Sequence, residues 1–151
     1  MKFEKLLTYY ANLEPGLDIG NTPNGNRIIV EVNGGEFEGD RLKGKIRNLS
    51  AADWAIVHDG YFNLDVRATL ETHDGALIYL QYFGILEVNE AVGAALGGEG
   101  TTDYGDQYFF TNPRLHTGDE RYAWVNKIFC VGQGRLLAGK VEYNVYQVLN
   151  D

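Results

Sequence analysis

Asp53, Asp65, Arg67 and Tyr82 are the side chains of this sequence whose types and spacing best suit chemistry. A carboxylate accepts a proton, a phenol donates one, and a guanidinium offers a planar fork of donors to a carboxylate or an enolate oxygen. Asp65 and Arg67 stand two apart, so on a strand they share a face and pair. In that arrangement Asp53 or Asp65 is the base, Tyr82 the acid and Arg67 the stabiliser of developing negative charge. Trp54, Asn63, Tyr108, Tyr122, Trp124 and Asn126 are the candidate ligand-binding positions around them, suited to a flat or ring-bearing molecule. The chemistry that fits is isomerisation, cyclisation or retro-aldol-type cleavage of a small apolar or aromatic oxygenated compound, with no cofactor. The other reading is a binding module. It stores or carries such a ligand, or serves assembly, with an aromatic face such as Tyr122/Trp124 forming the contact of a homo-oligomer.

Other chemistries lack their residues. The three histidines, His58, His73 and His116, form no pair at metal-ligand spacing, so no metal site is expected. No serine sits in a nucleophile-elbow context and no dinucleotide fingerprint is present. The single cysteine, Cys130, lies in the apolar run Ile128-Phe129-Cys130-Val131, which reads as a buried, inert thiol. The formal net charge is −8, which argues against nucleic acid and against anionic membrane surfaces as partners. With no signal-peptide pattern and no apolar stretch of spanning length, the expectation is a cytoplasmic protein.

The element that must position the candidate residues runs from Asp53 to Gly84. Asp59-Gly60 and Asp74-Gly75 each separate two alternating segments, the strongest short-range hairpin signal, so three antiparallel strands form a meander. In the middle strand Phe62, Leu64, Val66, Ala68 and Leu70 share one face, and Tyr61, Asn63, Asp65, Arg67, Thr69 and Glu71 the other. Two-residue loops set Trp54 opposite Asp65 and Arg67 opposite Tyr82, gathering all four into one patch. A three-residue loop with a bulge at Gly75 shifts the second pairing by one.

Elsewhere, Phe3 to Leu13 reads as the first strand and Leu17 to Asn26, with its Gly and Pro residues, as a long loop. Arg27 to Asn33 is a β-branched strand that Gly34-Gly35 bends before Glu36 to Gly39, as at a barrel corner. A short strand lies within Asp40 to Arg47. Glu87 to Leu96 has apolar residues at helical spacing and forms the one helix, stopped by Gly97-Gly98. Gln107 to Pro113 and Arg121 to Val131 read as strands, Gly132 to Gly134 as a turn, and Arg135 to Leu149 as the returning strand. The whole, 1–151, is expected to be one all-β domain: a closed or nearly closed antiparallel β-barrel first, a sandwich second.

Gly34-Gly35-Glu36-Phe37-Glu38-Gly39, Asp53-Trp54, Leu64-Asp65-Val66-Arg67, Thr72-His73-Asp74-Gly75-Ala76-Leu77-Ile78-Tyr79 and Arg121-Tyr122-Ala123-Trp124-Val125-Asn126 resemble, in order and over nearly the whole chain, the domain of unknown function 3237 family (uncharacterised protein family 0311). The resemblance implies a compact barrel related to allene oxide cyclase and dirigent-type or lipocalin-like barrels, and no settled activity. It also marks the Asp-Trp and Asp-x-Arg pairs as signature positions, which fits a pocket.

Overall fold

Residues that alternate apolar and polar with period two become strands almost everywhere in the chain. A computed structural model describes residues 1–151. The elements are β1 (Lys2–Leu13), β2 (Leu17–Thr22), β3 (Gly25–Glu38), β4 (Lys43–Ile46), β5 (Ala52–His58), β6 (Tyr61–Thr72) and β7 (Leu77–Glu87). Then come α1 (Glu90–Leu96), β8 (Phe109–Thr111), β9 (Arg114–His116), a 3₁₀ segment (Glu120–Lys127), β10 (Cys130–Leu137) and β11 (Lys140–Leu149). All pairings are antiparallel, and they close a ring of eight: β3, β1, β11, β10, β8, β7, β6, β5 and back to β3. Closure satisfies the edges that an open sheet would leave bare. Three short strands lie off the ring: β2 pairs the start of β3, β4 bridges the far halves of β3 and β6, and β9 pairs the start of β7.

The Asp59-Gly60 turn holds both central residues at positive φ, 50° and 79°, as a two-residue hairpin requires. The corner at Gly34-Gly35 also forms. Gly35 sits against Ala11 of β1 with φ 154°, and a Cβ there would collide with the Tyr10 carbonyl, so the β1–β3 contact depends on its missing side chain.

Inside the ring, Leu64, Val66, Ala68 and Leu70 of β6, Ile78, Leu80 and Leu86 of β7 and Val141 and Val145 of β11 join a core of 28 buried residues. Each such aliphatic side chain contributes about 1.5–3 kcal/mol on burial. The two ends differ. At one, the 3₁₀ segment plugs the barrel, burying Tyr122 and Val125. At the other, α1 leans over the opening with Val92 and Ala95 buried, its first turn capped by the Asn89 side chain accepting from the Val92 N–H at 2.9 Å. No helix is long and apolar enough to cross a membrane.

Four local expectations differ from this structure. Leu17 to Asn26 is not a loop: it contains β2, which continues past the Glu14-Pro15-Gly16 bend along the edge of β3 that β1 uses, and hairpins back through Pro23-Asn24. Arg121 to Lys127 is 3₁₀, not strand, because Asp119 accepts from the Arg121 N–H and caps a helical start. A second short helical segment therefore joins α1. Gly132 and Gly134 lie inside β10, and the chain turns instead at Ala138-Gly139, where Gly139 has φ 68°.

Candidate functional site

The Gly75 hairpin determines which residues meet. His73-Asp74-Gly75 is a three-residue loop with Gly75 at φ 90°, closed by the Gly75 N–H to the Thr72 carbonyl at 3.0 Å and by the Ala76 N–H to Thr72 Oγ1 at 2.8 Å. The extra residue shifts β7 by one: Arg67 faces Gln81, and Tyr82 faces Val66. The first hairpin keeps the two-residue register, with Asp53 opposite Val66. Asp53, Val66 and Tyr82 therefore form one row across β5, β6 and β7, and that row points into the barrel. Arg67, Asp65 and Trp54 belong to the opposite phase and point out.

The opposite wall supplies two residues that the sequence reading did not select. Tyr9 of β1 and Tyr143 of β11 are direct cross-strand partners. Their rings lie 4.8 Å apart; Tyr82 meets Tyr143 edge-on at 5.5 Å and Tyr9 at 6.3 Å. Phe109 of β8 closes the cluster against Tyr143 at 5.2 Å, and it fits because Gly134 behind it has no side chain. Tyr82 Oη donates to Tyr143 Oη at 3.3 Å, whereas the buried Tyr9 Oη has no hydrogen-bond partner. A buried hydroxyl without a partner forfeits about 1–3 kcal/mol of solvation.

Tyr82, Tyr143 and Phe109 of this cluster form the floor of a cavity of about 590 Å³, within the size range of small-molecule sites. Val30, Val32, Leu64, Leu86, Leu136 and Val141 give it apolar walls, and its rim is built from the Glu14-Pro15-Gly16 bend, the Leu96-Gly97-Gly98 end of α1 and the Gly139-Lys140 turn. Asp53 is the one ionisable carboxylate on the inner wall. Its Oδ1 accepts the Asp65 backbone N–H at 2.9 Å, so the side chain takes a hydrogen bond that the β5–β6 ladder leaves open. Burial pushes its carboxyl up to about 6; the Asp65 N–H opposes that rise, the Asp65 charge adds to it, and Arg27 opposes it again. Burial likewise drives the hydroxyls of Tyr9, Tyr82 and Tyr143 above the ordinary phenol range, so all three keep their protons. The floor thus combines a carboxylate made more basic with a cluster of phenolic donors.

The remaining candidate residues lie elsewhere. Trp54, Asn63 and Tyr108 are on the outer wall: the Arg67 guanidinium sits 5.6 Å over the Trp54 ring, Asn63 donates weakly to the Ile56 carbonyl at 3.4 Å, and Tyr108 stacks edge-on with Phe110 at 4.8 Å. Tyr122, Trp124 and Asn126 belong to the plug at the far end. Tyr122 Oη donates to Asp74 at 2.9 Å, and Trp124 lies beneath the Arg41 guanidinium at 4.0 Å. Asn126 brackets Thr117, accepting from its N–H at 2.8 Å and donating to its carbonyl at 2.9 Å. Arg121 binds Asp119 and Asp74, tying the same plug to the Gly75 hairpin. Of the ten candidates, Asp53 and Tyr82 line the cavity. No group of three or more potential metal-ligating side chains is present.

The fold and site define a class: a closed eight-stranded antiparallel barrel, plugged at one end and open at the other to an apolar cavity with a carboxylate–tyrosine floor. The chain belongs to the family described as Protein of unknown function (DUF3237), which matches residues 1–148. It is similar to a UPF0311 protein of Rhodopseudomonas palustris, 30% identical over 145 residues and covering 95% of this chain and 94% of the other. The crystal structure of that organism's conserved protein of unknown function superposes with a TM-score of 0.87, at 30% identity and 98% and 97% coverage. A β-barrel like protein of Acinetobacter baumannii gives 0.80 at 34% identity, covering 97% of this chain and 94% of that one. A structure described as an enzyme from Penicillium herquei gives 0.70 at 16% identity over 98% and 94% of the two chains, a likeness of fold.

Proposed function

We propose that the barrel binds a small, uncharged, largely apolar molecule carrying a carbonyl or phenolic oxygen and performs acid–base chemistry on it. The observation that carries this reading is that Asp53, Tyr82 and Tyr143 together line the floor of an apolar cavity. Asp53 takes a proton from carbon or from a hydroxyl of the ligand. The oxygen that gains negative charge accepts hydrogen bonds from Tyr82 and Tyr143, whose raised pKa values suit them to hold their protons rather than surrender them. The base then returns the proton at a second position, which completes an isomerisation, or the ligand closes or cleaves a carbon–carbon bond in between. A positioned base contributes about 10²–10⁴-fold and one oxyanion donor about 10²–10³-fold, enough for an enzyme of this kind.

Charge supports the uncharged ligand. Glu14, Asp18 and Asp53 line the cavity against a single cation, Lys140, at the rim. The Lys140 ammonium stands 4.8 Å over the Tyr10 ring on the outer wall, so an anionic ligand would meet repulsion with no compensating partner. The test uses enolisable aryl ketones in deuterated buffer. Wild-type protein is expected to be stabilised against heat by those that bind and to exchange their α-protons for deuterium, while Asp53→Asn binds them without exchange. Binding with no exchange by the parent protein would leave a non-catalytic carrier, and no stabilisation by any uncharged ketone or phenol would show that the cavity does not take such ligands.

A further inference from the structure

The residues that turned outward form a surface of their own. Trp54, Tyr61, Phe83, Ile85 and Phe110 on the outer face of β5 to β8, with Tyr108 just before β8, are each between 36% and 55% exposed. Register makes the patch continuous. Asp65 pairs with Phe83, Asn63 with Ile85, Ile85 with Phe110, and the Tyr108 and Phe110 rings touch. At roughly 150–250 Å² per ring, these side chains leave on the order of 400–600 Å² of apolar area uncovered. That matches the largest patch a monomer ordinarily tolerates, about 300–600 Å², and supplies more than half of the ~800 Å² per partner in a standard interface.

Asp65 and Arg67 sit at the centre of this patch without ion-pair partners. Asp65 Oδ1 is buried and accepts no hydrogen bond. Arg67, two residues along the same face, forms no ion pair and touches only the Trp54 ring among aromatic groups. The chain as a whole carries −8, so most of its surface repels a copy of itself. Within this patch the opposite charges of Asp65 and Arg67 stand side by side, and at its edges Arg27, bound to the Trp54 carbonyl, balances Glu87, which accepts from the Tyr108 N–H.

We propose that this face joins two copies of the chain across a two-fold axis passing near position 66 of β6. In an isologous contact residue i meets residue j while j meets i, so a single rotation pairs Arg67 of each copy with Asp65 of the other. The rings of β7 and β8 pack around that pair and exclude water from it. The exposed side of the Asp65 carboxylate gains a donor, and the guanidinium fork gains its acceptor. The second copy is the occupant because the patch is complementary to itself in both charge and apolar character.

Sedimentation across a wide range of protein concentration tests this. The wild-type chain is expected to sediment at about twice its 16.9 kDa mass and to dissociate on dilution. Asp65→Arg and Arg67→Asp each place like charges in contact at both pairs, and each is expected to weaken association roughly tenfold or more. Mixed in equal amounts, the two variants restore both pairs and are expected to form the heterodimer. Ile85→Lys, judged folded by its circular dichroism, is the second variant and is expected to be monomeric. A wild-type protein that stays monomeric at high concentration would overturn the proposal. So would a mixture that associates no better than either variant alone, or an Ile85→Lys protein that remains dimeric.

Discussion

Replacing Asp53 by Asn should stabilise the protein at neutral pH while removing its proposed base. The carboxyl titrates at about 6 in the folded chain against 3.8 for an ordinary aspartate. Between those values the folded state holds a proton that the unfolded state has released, so stability falls as pH rises through the window from about 4 to about 6. Above it the full penalty applies. A shift of about two units corresponds to roughly 3 kcal/mol at neutral pH. Asn preserves the Oδ1 that accepts the Asp65 N–H at 2.9 Å. It also introduces an amide NH₂ needing partners, which costs about 1–2 kcal/mol in return. The net expectation is a gain of about 1–2 kcal/mol at neutral pH, or about 3–6 °C in melting temperature for a chain of this length. Urea denaturation of parent and variant, at neutral pH and at about pH 4.5, measures the difference while the other carboxylates cancel. The advantage of Asn should shrink by about 1–2 kcal/mol on acidification. A variant less stable than its parent at neutral pH, or an advantage that does not change with pH, would refute the account of Asp53 as a desolvated carboxylate.

Tyr9→Phe removes a buried hydroxyl that has no partner in the folded chain. Its stability should equal or exceed the parent's by up to about 1 kcal/mol, and a clear loss in chemical denaturation would show that the hydroxyl is already satisfied. Gly35→Ala forces a Cβ into the Tyr10 carbonyl across the β1–β3 pairing and should cost more than about 3 kcal/mol, read as a fall in the denaturation midpoint. The Cys130 thiol is buried and pushed up to about 11 by that burial. Alkylation at mildly alkaline pH should therefore be slow in the native protein and fast once it is denatured, and equal rates would place Cys130 at the surface.

Turn chemistry made much of the barrel legible in the sequence, and the same chemistry explains what was missed. Asp59-Gly60 has one favoured loop length, so the β5–β6 register follows from the residues alone. His73-Asp74-Gly75 admits two loop lengths. The longer one is selected by Thr72, whose hydroxyl accepts from the Ala76 N–H and donates to Asp74 at 2.6 Å. One residue of slip exchanges Tyr82 for Gln81 beside Arg67, which is why a four-residue patch expected on one face divides between inside and outside. Tyr9 and Tyr143 had a signal in their phase, since Tyr9 alternates with Leu7 and Ala11, and Tyr143 with Val141 and Val145. That phase marks them as inward-facing. It does not bring them to Asp53, because β1, β11 and β5 meet only through ring closure. Arg121 to Lys127 departs from strand for a local reason, the capping carboxylate of Asp119, which aromatic density obscures.

Ring closure also sets a schedule for synthesis. β1 takes β11 along one edge and β3 along the other, so the strand that emerges first waits for the strand that emerges last. At translation speeds of roughly 5–20 residues per second, the interval between them is on the order of ten seconds. Through that time the aromatic and aliphatic side chains of β1, among them Leu7, Tyr9 and Ala11, lack the wall that will cover them, and one backbone edge stays open to any passing strand. The apolar lining that equips the finished barrel to hold a ligand is, on the ribosome, a surface for a chaperone to shield.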